Sequence, residues 1–147
     1  HLLGQNRIRT TSGFGIALFP DIHICAICAC ANEDQKHLFF QCGFSGKCVD
    51  FLSRKIGIGL PCDCVWEWWN VHRFVSMFHK KVIGALLEAL IYHIWFMRNR
   101  SFHDGVLCRP EVVLKMVCNE VVIRCRSQVL AHVLSKYGSW LESIRCV

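Results

Sequence analysis

Cys25, Cys28, His37 and Cys42 stand in the spacing C-x2-C-x8-H-x4-C. Thiolates and imidazoles are the ligands that zinc takes in closed structural sites, four of them in a tetrahedron. Two cysteines three apart can turn both sulfurs toward one point, and a His and a Cys five apart can complete the shell from a second segment. When protein fills all four positions, none remains for a reactive water, so the pattern points to a structural ion and away from metal-assisted hydrolysis. The intervening residues 29–36 include Asn32, Glu33, Asp34, Gln35 and Lys36 and suit a solvent-exposed excursion. Leu38, Phe39 and Phe40 can pack as a small core beneath the ion. Other apolar groups there are few, and structural zinc contributes about 10–16 kcal/mol. Residues 25–42 are therefore expected to be ordered only with metal. Cys30, Cys48 and His23 remain alternative ligands.

Other chemistry-bearing residues read more plainly. Cys62 and Cys64 lie one residue apart, a poor pair for one tetrahedral zinc, and with His72 or His79 they lack a clean fourth partner; they read as structural thiols. Trp66, Trp68 and Trp69, with Arg73, Lys80 and Lys81 nearby, have the residue types of a base-stacking platform, although aromatics in a helix are more often core. Arg98, Arg100, Arg124 and Arg126 form a candidate phosphate-contacting set, with Arg7 and Arg9 as weaker additions. Cations at helix ends also complement the C-terminal dipole. His93 reads as a satisfied core histidine, and no nucleophile motif supports Cys/His or Ser/His catalysis.

The elements that must position these residues are mostly helical. A short helix is expected near residues 46–56, ending at Gly57 and Gly59. Further helices are expected over 65–78, 79–102 and 110–136. The 79–102 helix has Ile83, Leu86, Leu87, Leu90, Ile91, Ile94 and Trp95 on one apolar face. Asp104-Gly105 should end it, and Pro110 with Glu111 should begin the next, with Val113, Met116, Val117, Val121, Ile123 and Leu130 inward and Arg124 and Arg126 in water. Gly138 should break the pattern. Leu60-Pro61 marks a boundary between a zinc-binding module, residues 1–60, and a helical region, residues 61–147, built as a hairpin or small bundle. The expected fold class is mostly α, a small zinc-stabilised module followed by that bundle.

At 147 residues the chain has no room for a polymerase or kinase, and 53% apolar content excludes a disordered tail. The formal charge is +6, and from Arg98 onward eight basic residues face four acids. That balance fits a nucleic-acid partner without requiring one. Eleven cysteines, an odd number, argue for a reducing, intracellular compartment, nuclear or cytoplasmic. The apolar run 82–97 is too short, and carries Glu88 and His93, so it reads as a buried helix rather than a membrane span.

The runs Cys25-Ala-Ile-Cys28 and His37-Leu-Phe-Phe-Gln-Cys42-Gly-Phe-Ser45, followed by Tyr92-His-Ile-Trp95-Phe-Met-Arg98-Asn-Arg100, resemble the zinc-binding domain that follows the reverse transcriptase of plant-type non-LTR retrotransposons. The resemblance covers about residues 6–130. It implies a Zn2+-holding, non-catalytic accessory piece of a retroelement polyprotein, since no polymerase aspartate pair or RNase H carboxylate set is present. Such a piece is expected to bind RNA or single-stranded DNA. The competing expectation is a protein–protein module packed against the rest of a polyprotein through its Trp-rich and Val-rich helices, or a remnant without activity.

Overall fold

The computed structural model describes residues 24–61, 63 and 65–146. Among these the chain is helical, with no strand; the only β pairing is an isolated antiparallel bridge between Ile24 and Asn32. A π-helical turn, His37–Gln41, leads into α1, Gly43–Ile56. Then come α2, Val65–Val71; α3, Met77–Asp104; α4, Pro110–Gln128; and α5, Ala131–Ile144. No helix among the described residues is long and apolar enough to cross a membrane.

The helix ends follow local chemistry. Gly57 takes a left-handed φ of 71° after α1, and Gly105 a φ of 65° after α3. There the Gly105 amide returns to the carbonyls of Arg100 and Ser101. Pro110 sits in the first turn of α4, where its missing N–H costs nothing.

Two expected boundaries moved. The helix expected over 65–78 ends at Val71, because Ser76 starts a new one: its Oγ accepts the His79 amide at 3.2 Å and meets His79 Nδ1 at 2.8 Å. The helix expected over 110–136 stops at Gln128, where Val129 and Leu130 are extended and the Val129 amide returns to Cys125 O. That break lets α5 turn back and bury Leu141 and Ile144 against the core. Gly138 does not break α5; it lies inside it, with nothing beside its Cα to clash with a side chain.

One hydrophobic cluster unites these helices. It takes Leu38 and Phe39 from the π turn and Cys48 and Leu52 from α1. From α3 come Ile83, Leu86, Leu90, Ile94 and Met97; from α4, Val113, Val117, Val121 and Val122; from α5, Leu141 and Ile144. Leu60-Pro61 lies in an irregular stretch, and the cluster takes residues from both sides of it. On α4, Met116 and Ile123 are exposed rather than inward, as is Leu130 just beyond it, and Cys118 and Val122 join the buried stripe, since α4 packs against both α3 and α1.

Candidate metal centre

The cysteine pair lies on a tight knuckle. The Cys25 amide donates to Ala31 O at 2.8 Å, and the Ala29 amide donates to Cys25 O at 2.9 Å. Turning this sharply places Ala29 at φ 53°, the left-handed region. The Cys30 amide lies 3.5 Å from Cys28 Sγ, aimed as a donor to the sulfur. The second pair comes from the π turn. Asp34 caps it, accepting the His37 amide on Oδ1 at 2.6 Å, and the Cys42 amide closes on His37 O at 2.6 Å. On an ordinary α-helix, residues five apart point roughly 140° away from each other. The wider i→i+5 closure brings His37 and Cys42 to the same side. Ser45, fully buried on α1, ties the turn down by donating to Leu38 O at 2.5 Å.

These two segments bring Cys25, Cys28, His37 and Cys42 together, with one ligand atom from each lying within 4.8 Å of all the others. Cys28 Sγ is 3.3 Å from His37 Nε2. Ligands around one tetrahedral zinc lie about 3.6–3.8 Å apart; the four donor atoms lie near that spacing and could hold a metal ion. Cys25, His37 and Cys42 are buried and Cys28 is half-buried.

The electrostatics also suit a cation. Cys42 is held below the ordinary thiol range, first by the Cys25 thiol beside it, then by the amides of Phe44 and Ser45 in the first turn of α1. Cys25 is pushed up, first by that same contact with Cys42 and then by burial. A metal ion would take both sulfurs as thiolates, so its binding would release their protons.

The alternative ligands lie elsewhere. Cys30 is exposed, and its thiol donates to Cys28 O at 2.9 Å. Cys48 is buried in the hydrophobic cluster, where burial, then the charge of Glu111, pushes its thiol up to about 12. His23, Cys62, Cys64, Arg7 and Arg9 lie outside the described residues. No second metal-ligating cluster occurs among the described residues; His72 instead stacks on Trp68. His93 meets Glu120 Oε2 at 3.0 Å across α3 and α4, in keeping with a partnered, largely buried histidine.

The four arginines do not share one environment. Arg98 is buried, 3% exposed, with its Nε donating to Glu33 Oε1 at 2.9 Å. It cannot face a phosphate there. Arg100 is half-buried and Arg124 and Arg126 are exposed, and they pair with Asp104, Glu120 and Glu142 respectively. Of the tryptophans, Trp68 and Trp69 pack with Phe74 and against the core, while Trp66 is 66% exposed.

Sequence reasoning missed Glu33, Asp34 and Ser101 as builders of the site. Ser101 Oγ donates to Ala26 O at 2.6 Å, and Glu33 Oε2 accepts the Ala26 amide at 3.2 Å. One signal for them was present. Arg98 falls four residues after Ile94 and eight after Leu90, on the apolar stripe itself, and an arginine there needs a buried acid. No family model, curated protein or solved structure matches the chain.

Proposed function

We propose that the chain is a zinc-stabilised, non-catalytic helical accessory module, of the kind carried by the retroelement polyproteins its motifs resemble. The observation that carries this reading is the convergence of three sulfurs and one imidazole within a single ligand shell. A complete protein shell has no open position for substrate or water, so the ion's role is to fold the 25–42 segment. Zinc, rather than a harder cation, follows from the thiolate-rich donor set. Nine free cysteines and no disulfide among the described residues suit a reducing compartment, nuclear or cytoplasmic.

The partner this reading assigns is RNA or single-stranded DNA, contacted through Arg100, Arg124 and Arg126. Of their present acidic partners Asp104 is exposed and Glu120 and Glu142 are half-buried, and ion pairs open to solvent are worth about 0–1 kcal/mol. Arg100 and Arg124 can therefore be given up to a phosphate at little cost, while Arg126 gives up a carboxylate oxygen of Glu142 that is shielded from solvent. Affinity for a labelled oligonucleotide should fall with salt, and Arg124→Gln and Arg126→Gln should each reduce the salt slope by about 1. Undetectable binding at low salt contradicts this role.

A second reading has its own observation. Trp66, Val71, Val75 and Met77 are all exposed within one short stretch, Val75 at 86%. Bare aliphatic groups suit a protein partner, such as the remainder of a polyprotein, better than a nucleic acid. Trp66→Ser should leave oligonucleotide binding unchanged and weaken that association.

A further inference from the structure

The buried ion pair between Glu33 and Arg98 has no part in ligating a metal, yet it joins the ligand loop to a helix 65 residues away in the chain. Both side chains are almost completely shielded, 0% and 3% exposed. Glu33 lies between Cys28 and His37, so its position depends on how the two ligand segments are folded. One carboxylate oxygen takes the Ala26 amide, inside the Cys25–Cys28 knuckle, and the other takes Arg98 Nε. Three residues along α3, Ser101 donates to the carbonyl of that same Ala26. Arg98 is itself held in place: its Nη1 donates to Asn99 Oδ1 at 3.0 Å, and its guanidinium lies 5.0 Å above the Phe102 ring.

These contacts converge on one residue of the knuckle, Ala26, and on the loop leading to His37. If the loop lifted away, a guanidinium would be left in the interior without its carboxylate, which is strongly unfavourable. If the ligands let go of the ion, the loop would lose the cross-link that keeps Glu33 beside Arg98. Each event therefore favours the other.

We propose that Arg98 is a positioning residue for the metal centre. Acting through Glu33, it holds the Cys25–Cys28 knuckle at the separation from His37 and Cys42 that one tetrahedral ion requires. Ion binding and docking of the loop on α3 are thus a single coupled step. The inference rests on the zinc reading above and adds to it the residue that tunes affinity from outside the ligand shell. Partners of this indirect kind commonly change metal affinity by about 10–100-fold.

The test uses the full chain, with zinc as the probe, in four forms: wild type, Arg98→Met, Glu33→Gln and the charge-free Arg98→Met/Glu33→Met. Zinc stoichiometry, zinc affinity by competition with a chromophoric chelator, and hydrogen exchange with and without zinc are measured on each. The double variant keeps the assay informative should a single variant strand a buried charge and fail to fold, since apolar replacement of both partners is often tolerated. Wild type should bind one zinc. Each variant that folds should bind it at least tenfold more weakly, with α4 and α5 still protected from exchange. The effects should be non-additive, the double variant falling no lower than the worse single one. Stripping zinc from wild type should remove protection from residues 97–102 as well as from 25–42. A wild type that takes up no zinc overturns the zinc reading and this inference with it. Zinc bound by wild type, with variant affinities within twofold of it or with residues 97–102 unaffected by zinc removal, overturns this inference alone.

Discussion

Ser101 on α3 donates its hydroxyl to the carbonyl of Ala26 at 2.6 Å, across 75 residues of chain. The bond fastens the cysteine knuckle to α3 at a carbonyl that the knuckle's own turn leaves available. Ser101→Ala should cost about 0.5–1.5 kcal/mol, the net worth of one such bond, read as a lower urea midpoint with an unchanged slope. A change below 0.2 kcal/mol, set against that same range, would show that the knuckle does not depend on α3 for its place.

Ala29 occupies the left-handed region at φ 53°. A residue with a Cβ is disfavoured there by roughly 1–2 kcal/mol. Ala29→Gly should therefore raise stability by about 0.5–1 kcal/mol after the added freedom of the unfolded chain is subtracted. Thermal unfolding of the zinc-loaded protein checks this; a lower midpoint contradicts the knuckle geometry.

Gly84 on α3 lets Trp69 approach. A Cβ added there would sit 3.1 Å from the Trp69 ring tip. The Trp69 ring would have to move by a few tenths of an ångström, and Gly84→Ala should be nearly neutral, the helix-propensity gain of about 0.8–1 kcal/mol offsetting the crowding. Gly84→Leu should instead displace the ring, destabilise the protein and shift tryptophan emission to the red. Unchanged emission in the Leu variant would contradict the contact.

Burial pushes the Cys48 and Cys118 thiols up to about 12, from an ordinary value of about 8.5. Below the ordinary value both folded and unfolded chains keep these protons, and stability does not depend on them. Above it the unfolded chain releases protons that the folded chain retains, so stability falls as pH rises from about 8.5 toward 12, by up to about 1.4 kcal/mol per pH unit per thiol. Cys48→Ala should flatten part of this alkaline slope, whatever it does to stability at pH 7. Parallel slopes for variant and wild type would refute the assignment.

The Cys/His cluster and the helical class were legible in the sequence because ligand spacing and a 3.6-residue apolar period are local signals. The tetrad Cys25, Cys28, His37 and Cys42 converges as its spacing implies. The turns between helices were harder to read. Ser76 outweighs an aromatic run that otherwise looks continuous, and the break at Val129 has no Gly or Pro to announce it; tertiary burial of Leu141 and Ile144 favours it instead. Arg98 was the instructive case. Grouped by charge with Arg100, it reads as a surface contact, but its register on the α3 stripe puts it inside. The acid that makes this tolerable, Glu33, lies far away in the chain and looked like one polar residue among several in an exposed loop.

X-ray absorption at the zinc edge on the purified full chain, with total metal measured beside it, tests the central claim most directly. One zinc per chain is predicted, with three sulfurs at about 2.3 Å and one nitrogen at about 2.0–2.1 Å, and with Cys42→Ser losing the ion. A metal-free protein that keeps residues 25–42 ordered, or a zinc shell of oxygen and nitrogen alone, would contradict it.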